Sequence, residues 1–287
     1  MALRASANGI EIAYDTFGSP GGRPLLLIMG LGSQMIHWDE EFCALLADGG
    51  HHVIRFDNRD VGESTHFHDA GTPAFGSAGG DAPYLLGDMA DDAAGLLDAL
   101  GLESAHVAGA SMGGMIAQAM AIRHPDRVRS LTSIMSTPSP QAAPPTAAAM
   151  AVLMSPPAPD RETVIARALE TWKVIGSPDH PLDTDRVARL AGLSYDRAYD
   201  PAGVARQLAA ITASGDRAPQ LKELSVPTLV LHGEQDPLVP LSGGIATADA
   251  VPGARLVTYP GMGHDLPRPL WPEFAAEIGG LTAAAER

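Results

Sequence analysis

Residues 105–124, AHVAGASMGGMIAQAMAIRH, read as a strand, a sharp turn and a helix. Ala105 to Gly109 form an apolar strand-like run. Met115, Ile116, Ala119 and Met120 then recur at helical spacing, until His124 and Pro125 stop the helix. Between them lies Gly109-Ala110-Ser111-Met112-Gly113. A serine on so tight a strand-to-helix turn is held clear of the sheet, and small residues on either side let the two backbones pass closely. The N-H groups that open the helix point at the same spot. Ser111 is therefore the candidate nucleophile.

Outward from this turn, short Val/Ile/Leu-rich runs alternate with helical patterns. That alternation predicts an α/β fold, with a mostly parallel central sheet and helices on both faces. Residues 3–17 alternate around Asn8-Gly9 as a hairpin, and LLLIM at 25–29 reads as a central strand. Phe42, Leu45 and Leu46 mark a helix ending at Gly49-Gly50, followed by a strand at 52–56. Residues 57–83 show no period and contain Gly62, Gly71, Gly76, Gly79 and Gly80, which predicts a long loop. Met89, Ala93, Leu96, Leu97 and Leu100 share one helix face. Further strands are expected at 128–135, 227–231 and 254–259, with a closing helix at 271–285.

From 137 to 217 prolines are dense and only short helices are legible, one of them opened by Asp200-Pro201. Residues 1–136 and 218–287 are thus expected to form the core, with 137–217 inserted as a helical cap, or lid.

The 287 residues carry 19 basic and 34 acidic side chains, a net charge of −15. Such a surface repels phosphate backbones and anionic membranes, so nucleic acid is not an expected partner. No apolar run reaches the ~18 residues of a membrane span, and the first residues lack an apolar secretion segment. A cytoplasmic location is expected. Cys43 is the single cysteine and reads as part of a buried helix face.

A nucleophilic serine needs a base, and the base needs a carboxylate to fix its tautomer. His264, in Gly261-Met262-Gly263-His264-Asp265, follows the last strand, and Asp236 follows the strand before it. Loops at the carboxyl ends of strands in an open parallel sheet converge on one crevice, so Ser111, Asp236 and His264 can meet there. Glu234 is the main rival to Asp236, whereas Asp265 adjoins the base and points elsewhere. The segment 133–137, SIMST, offers no acid.

Other polar clusters read as structural. Asp57-Asn58-Arg59-Asp60 alternates in sign and suggests an internal ion-pair network. His66 and His68 are two apart but have no carboxylate or cysteine partner nearby in the sequence, so no metal is expected. His51, His52 and His232 read as strand-edge residues. Trp38, Met150, Met154 and Trp172 are candidates for lining a substrate pocket, with plain packing the alternative.

Five blocks carry a resemblance: IMGLG (28–32), FDNRDVGEST (56–65), GASMGG (109–114), LVLHGEQDPLVP (229–240) and PGMGHDLP (260–267). In this order they resemble the alpha/beta-hydrolases of the bacterial lipase/esterase type, the aclacinomycin methylesterase group. The resemblance implies an oxyanion hole from the backbone N-H groups of Leu31 and Met112, with Gly30 beside it at the substrate. It implies hydrolysis of small to medium acyl or methyl esters through an acyl-enzyme, with a small-molecule ester as partner and no cofactor. Perhydrolase or haloperoxidase, thioesterase and carbon-carbon hydrolase chemistry share the same three residues. A non-catalytic binding protein is the remote alternative. The sequence gives no oligomeric state.

Overall fold

The computed structural model describes residues 2–73 and 82–287; Gly76, Gly79 and Gly80 of the expected loop lie outside that set. β1 (Leu3–Ala7) and β2 (Ile10–Phe17) form the hairpin. Asn8 and Gly9 turn it with φ of 49° and 78°, the left-handed pair that matches the twist of the flanking strands. β3 (Arg23–Ile28), α1 (Glu40–Asp48) and β4 (His51–Phe56) follow. Beyond the loop come α2 (Leu86–Ala99), β5 (Ala105–Ala110), α3 (Met112–Arg123) and β6 (Val128–Ile134). The helical insertion contains α4 (Ala147–Leu153), α5 (Arg161–Ile175), α6 (Thr184–Arg197) and α7 (Pro201–Ala213). The chain closes with α8 (Ala218–Leu221), β7 (Thr228–Gly233), α9 (Leu241–Ala250), β8 (Arg255–Tyr259) and α10 (Trp271–Ala285).

The described strands make one eight-stranded sheet in the order β1-β2-β4-β3-β5-β6-β7-β8. β1, β2 and β4 pair antiparallel, and every other neighbour is parallel. The twofold period of a strand divides the apolar residues between two faces. In β3, Leu26 and Ile28 join the core under α2 and α3 with Leu96, Ile116 and Met120. Leu25 and Leu27 join the opposite core with Phe42 of α1 and Phe274 and Ile278 of α10. Each such side chain contributes roughly 1.5–3 kcal/mol by leaving water.

This double cover buries the strands and leaves their carboxyl ends free to present loops. The strand that leads to Ser111, β5, sits between β3 and β6, at the middle of that rim.

The Asp57 to Asp60 run is an ion-pair network, and it reaches further than a local turn. Arg59 pairs with Asp92 of α2 at 2.6 Å. Asp57 accepts from Met35 N, from Glu63 N and from Arg197, the last residue of α6. Asp60 accepts two hydrogen bonds from Arg206 of α7 and one from the Tyr84 hydroxyl. These pairs rivet the insertion to the core. Removing one partner of such a buried pair costs about 3–5 kcal/mol, because the other charge is left uncompensated.

Candidate active site

Ser111 sits between β5 and α3 with φ 56° and ψ −120°, a conformation that a non-glycine residue adopts only under strain. Its neighbours make that possible. A Cβ at Gly109 would overlap the Gly113 backbone, and one at Gly113 would overlap the carbonyl of Ile28 at the end of β3. The elbow is pinned from outside as well: Ser111 N donates to Ile134 O at 2.9 Å, and the Ser136 hydroxyl donates to Ser111 O at 2.8 Å.

The structure brings the three candidate residues together from three strand ends. Ser111 Oγ lies 2.9 Å from His264 Nε2, and His264 Nδ1 lies 2.7 Å from Asp236 Oδ2. The other carboxylate oxygen of Asp236 accepts the N-H groups of Leu238 and Val239, both at 2.9 Å. Those bonds leave Oδ2 for the imidazole. With Nδ1 donating to the carboxylate, Nε2 presents a lone pair to the serine hydroxyl, as a general base requires. His264 and Asp236 are each 5% exposed, so water competes little for this chain of hydrogen bonds.

The rival acids are occupied elsewhere. Glu234 accepts from the Thr258 hydroxyl at 2.8 Å on the surface. Asp265 accepts from the Ser177 hydroxyl, and burial pushes its carboxyl above the usual range. The insertion also grips the base: His264 N donates to Ile175 O at 2.7 Å, at the end of α5.

The N-H groups of Leu31 and Met112 donate to no described residue. Gly30 stands beside them, and a Cβ there would lie 3.2 Å from the Cβ of Ser111. The next residue, Gly32, has φ 65° and gives its N-H to Gln207 Oε1 of α7 at 2.8 Å. Gln207 is wholly buried and donates in turn to Arg59 O at 2.7 Å. A helix of the insertion therefore fixes the loop that follows β3.

Ser111 and His264 open on a cavity of about 470 Å³. Gly30, Met150 and Trp172 line it, as do Met115, Leu153 and Ile211. Its wall is mainly apolar. His37 also lines it, and burial pushes its imidazole down to about 4, so the ring is uncharged at neutral pH.

Two expected pocket residues stand elsewhere. Trp38 is completely buried in the core between sheet and α1, stacked on Phe42 at 5.9 Å. The short helical turn Met35–His37 directs it inward, away from the cavity. Met154 follows the last residue of α4, where the chain leaves the helical path, and Leu153 takes the wall position instead. His232 is not a strand-edge residue either. β7 lies between β6 and β8, and the wholly buried imidazole donates through Nε2 to Val239 O at 2.8 Å, bracing the loop that carries Asp236. Met115, one helical turn beyond Ser111, and Leu238, two residues beyond Asp236, also line the cavity and were not among the expected pocket residues. Ile175 and Ile211 gave no sequence signal for a place in the pocket.

Fold and site together define a hydrolase, with Ser111 as the candidate nucleophile on a strand-to-helix elbow. The chain belongs to the alpha/beta hydrolase fold family, whose profile matches residues 23–267. It is 31% identical over 298 residues to the rhodomycin D methylesterase DauP of Streptomyces sp. (strain C5), with 96% of each chain covered. Among solved structures it is similar to a meta-cleavage product hydrolase from Pseudomonas fluorescens IP01, with a TM-score of 0.77 at 22% identity over 99% of this chain and 98% of that one. It is also similar to the esterase RhEst1 from Rhodococcus sp. ECU1013, with a TM-score of 0.75 at 21% identity over 99% of both chains. At those identities the likeness to the two structures is one of fold.

Proposed function

We propose that the chain is a serine hydrolase that cleaves carboxylic esters through a covalent acyl-enzyme. The observation that carries this reading is the hydrogen-bonded sequence Ser111, His264, Asp236, which opens on an apolar cavity. Ser111 Oγ attacks the ester carbonyl while His264 Nε2 takes its proton, and the imidazolium is stabilised by Asp236. The C-O bond to the alcohol then breaks, and His264 returns the proton to the leaving oxygen. Water, deprotonated by His264, repeats the attack on the acyl-serine and releases the acid. This route requires no cofactor.

The N-H groups of Leu31 and Met112 are the oxyanion donors in this reading, each typically worth about 3–4 kcal/mol in the transition state. Residues 137–217 act as a cap: α4 and α5 supply Met150, Leu153 and Trp172 as the roof of the cavity. A volume of about 470 Å³ suits a small-molecule ester, and the name of the methylesterase relative supports a methyl ester of a larger acid as one substrate type. Location in the cytoplasm fits this reading; among the described residues no helix is long and apolar enough to cross a membrane.

A fluorophosphonate probe tests the nucleophile directly. Peptide mass analysis is expected to find the adduct on Ser111, with loss of p-nitrophenyl ester turnover in proportion. Full labelling elsewhere, or turnover that survives a complete Ser111 adduct, would overturn the assignment. A panel of p-nitrophenyl esters, methyl esters, thioesters and carbon-carbon substrates, with and without peroxide, then sorts the chemistries that share the three residues.

A further inference from the structure

The fold assembles a second cluster that the sequence does not show. His66 and His68, in the loop after β4, meet Asp200, the residue that caps α7, from 134 positions further along the chain. His66 Nδ1 lies 2.8 Å from Asp200 Oδ2, and His68 Nδ1 lies 3.7 Å from the same oxygen. The two imidazoles stack nearly parallel, with centroids 5.3 Å apart and 11° between planes. None of the three residues lines the cavity at Ser111.

The hydrogen-bond roles at His66 are informative. Its Nε2 lies 3.0 Å from Gly62 O, which can only accept, so Nε2 carries a proton. Its Nδ1 faces Asp200 Oδ2, and the nitrogens of two imidazoles converge on that one carboxylate oxygen, with the three ligand atoms within 4.8 Å of one another. That is a ligand set. The bond from Nε2 to a backbone carbonyl is also the outer hydrogen bond that orients most metal-binding histidines.

We propose that His66, His68 and Asp200 form a binding site for a divalent transition-metal ion of the zinc type. Two imidazoles and one carboxylate give three protein ligands and leave coordination open to water, a set that suits Zn²⁺ better than Mg²⁺ or Ca²⁺. His68 is mostly exposed, which provides an entry path, while His66 and Asp200 are shielded. Asp200 is held rigidly, because its second oxygen accepts Gly203 N at the start of α7. Arg206 also donates to Asp200 Oδ2 at 3.1 Å, and its charge is matched by the two bonds it makes to Asp60. The chain's net charge of −15 raises the local concentration of cations. An ion here would join the core loop to the first turn of α7, the helix whose Gln207 braces the loop after β3.

The test uses the full chain, stripped by a chelator and titrated with Zn²⁺ against a chromophoric indicator. The native chain is expected to bind one equivalent with Kd on the order of 1 µM, and its Tm is expected to rise by roughly 5 °C at a hundredfold excess over Kd. His68→Ala removes an exposed ligand, and Asp200→Asn keeps an oxygen for Gly203 N. Each is expected to weaken binding about tenfold or more, while metal-free melting shows that both variants fold. Co²⁺ in place of zinc should give visible bands that both variants lose. The proposal is overturned by an absence of saturable binding, or by binding that both variants leave unchanged. Neither result bears on Ser111, which is tested separately by labelling.

Discussion

Replacing Gln207 with Met would test whether the insertion helps to shape the oxyanion site. Methionine keeps the length and volume of the side chain but removes the acceptor for Gly32 N and the donor to Arg59 O. Both partners are backbone groups against a wholly buried side chain, so each is left unsatisfied at about 1–3 kcal/mol. A loss of roughly 2–6 kcal/mol in folding stability is expected, read as a lower urea midpoint at unchanged m. The catalytic effect has a different signature. Gly32 follows Leu31, the proposed oxyanion donor, so a released loop displaces a group worth about 3–4 kcal/mol when removed entirely. Partial displacement should lower kcat by about 10- to 100-fold with KM little changed, since the acyl and alcohol walls are untouched. Affinity for a trifluoromethyl ketone, which mimics the tetrahedral oxyanion, should fall in step with kcat/KM. Gln207→Glu restores an oxygen opposite Gly32 N and should recover part of kcat. If Gln207→Met unfolds at lower urea yet keeps native kcat and ketone affinity, Gln207 merely packs, and the link from α7 to the oxyanion loop is refuted.

Three further outcomes follow from the same geometry. Ser111→Ala should lower kcat by on the order of 10⁶, measured with p-nitrophenyl esters, and near-native turnover would contradict the mechanism. Trp172→Ala should widen the cavity and shift the preferred acyl length upward in a p-nitrophenyl ester series, whereas Trp38→Phe should lower Tm and leave the chain-length profile unchanged; the reverse pattern would mean that the cavity wall is misassigned. Burial holds both His37 and His106 down at about 4, whereas an unfolded histidine takes its proton near 6.5. Between those values the unfolded state binds more protons, so stability falls as pH drops below about 6.5. At pH 5 the loss is about 2 kcal/mol per group, and a urea midpoint that did not fall between pH 7 and pH 5 would count against these buried neutral rings.

The elements near the elbow were legible because each rests on local chemistry. Only glycine fits the close backbone crossings at 109 and 113, Asn8-Gly9 selects one hairpin turn, and Pro201 behind Asp200 opens a helix. Ser111, Asp236 and His264 could be paired in advance because each follows a strand of one parallel sheet, whose rim gathers such loops. Trp38 was misplaced for the opposite reason. Its position after the glycine loop pointed to the pocket, but one short helical turn rotates it into the core, and no periodicity reports the phase of so brief an element.

By itself, then, the sequence determined the sheet and the sharp turn at Ser111, and it pointed to the two residues that the fold gathers beside that serine, because these depend on backbone sterics and on twofold or 3.6-fold patterning. Tertiary structure alone decided what the insertion does. Asp57 with Arg197, Asp60 with Arg206, Gly32 with Gln207, and the histidine pair with Asp200 join residues more than 130 positions apart. A charge or an amide carries no mark of its partner in the linear chain. Partnership is set by which helix side chains the fold brings against the loops of the sheet, and desolvation there gives each contact its weight.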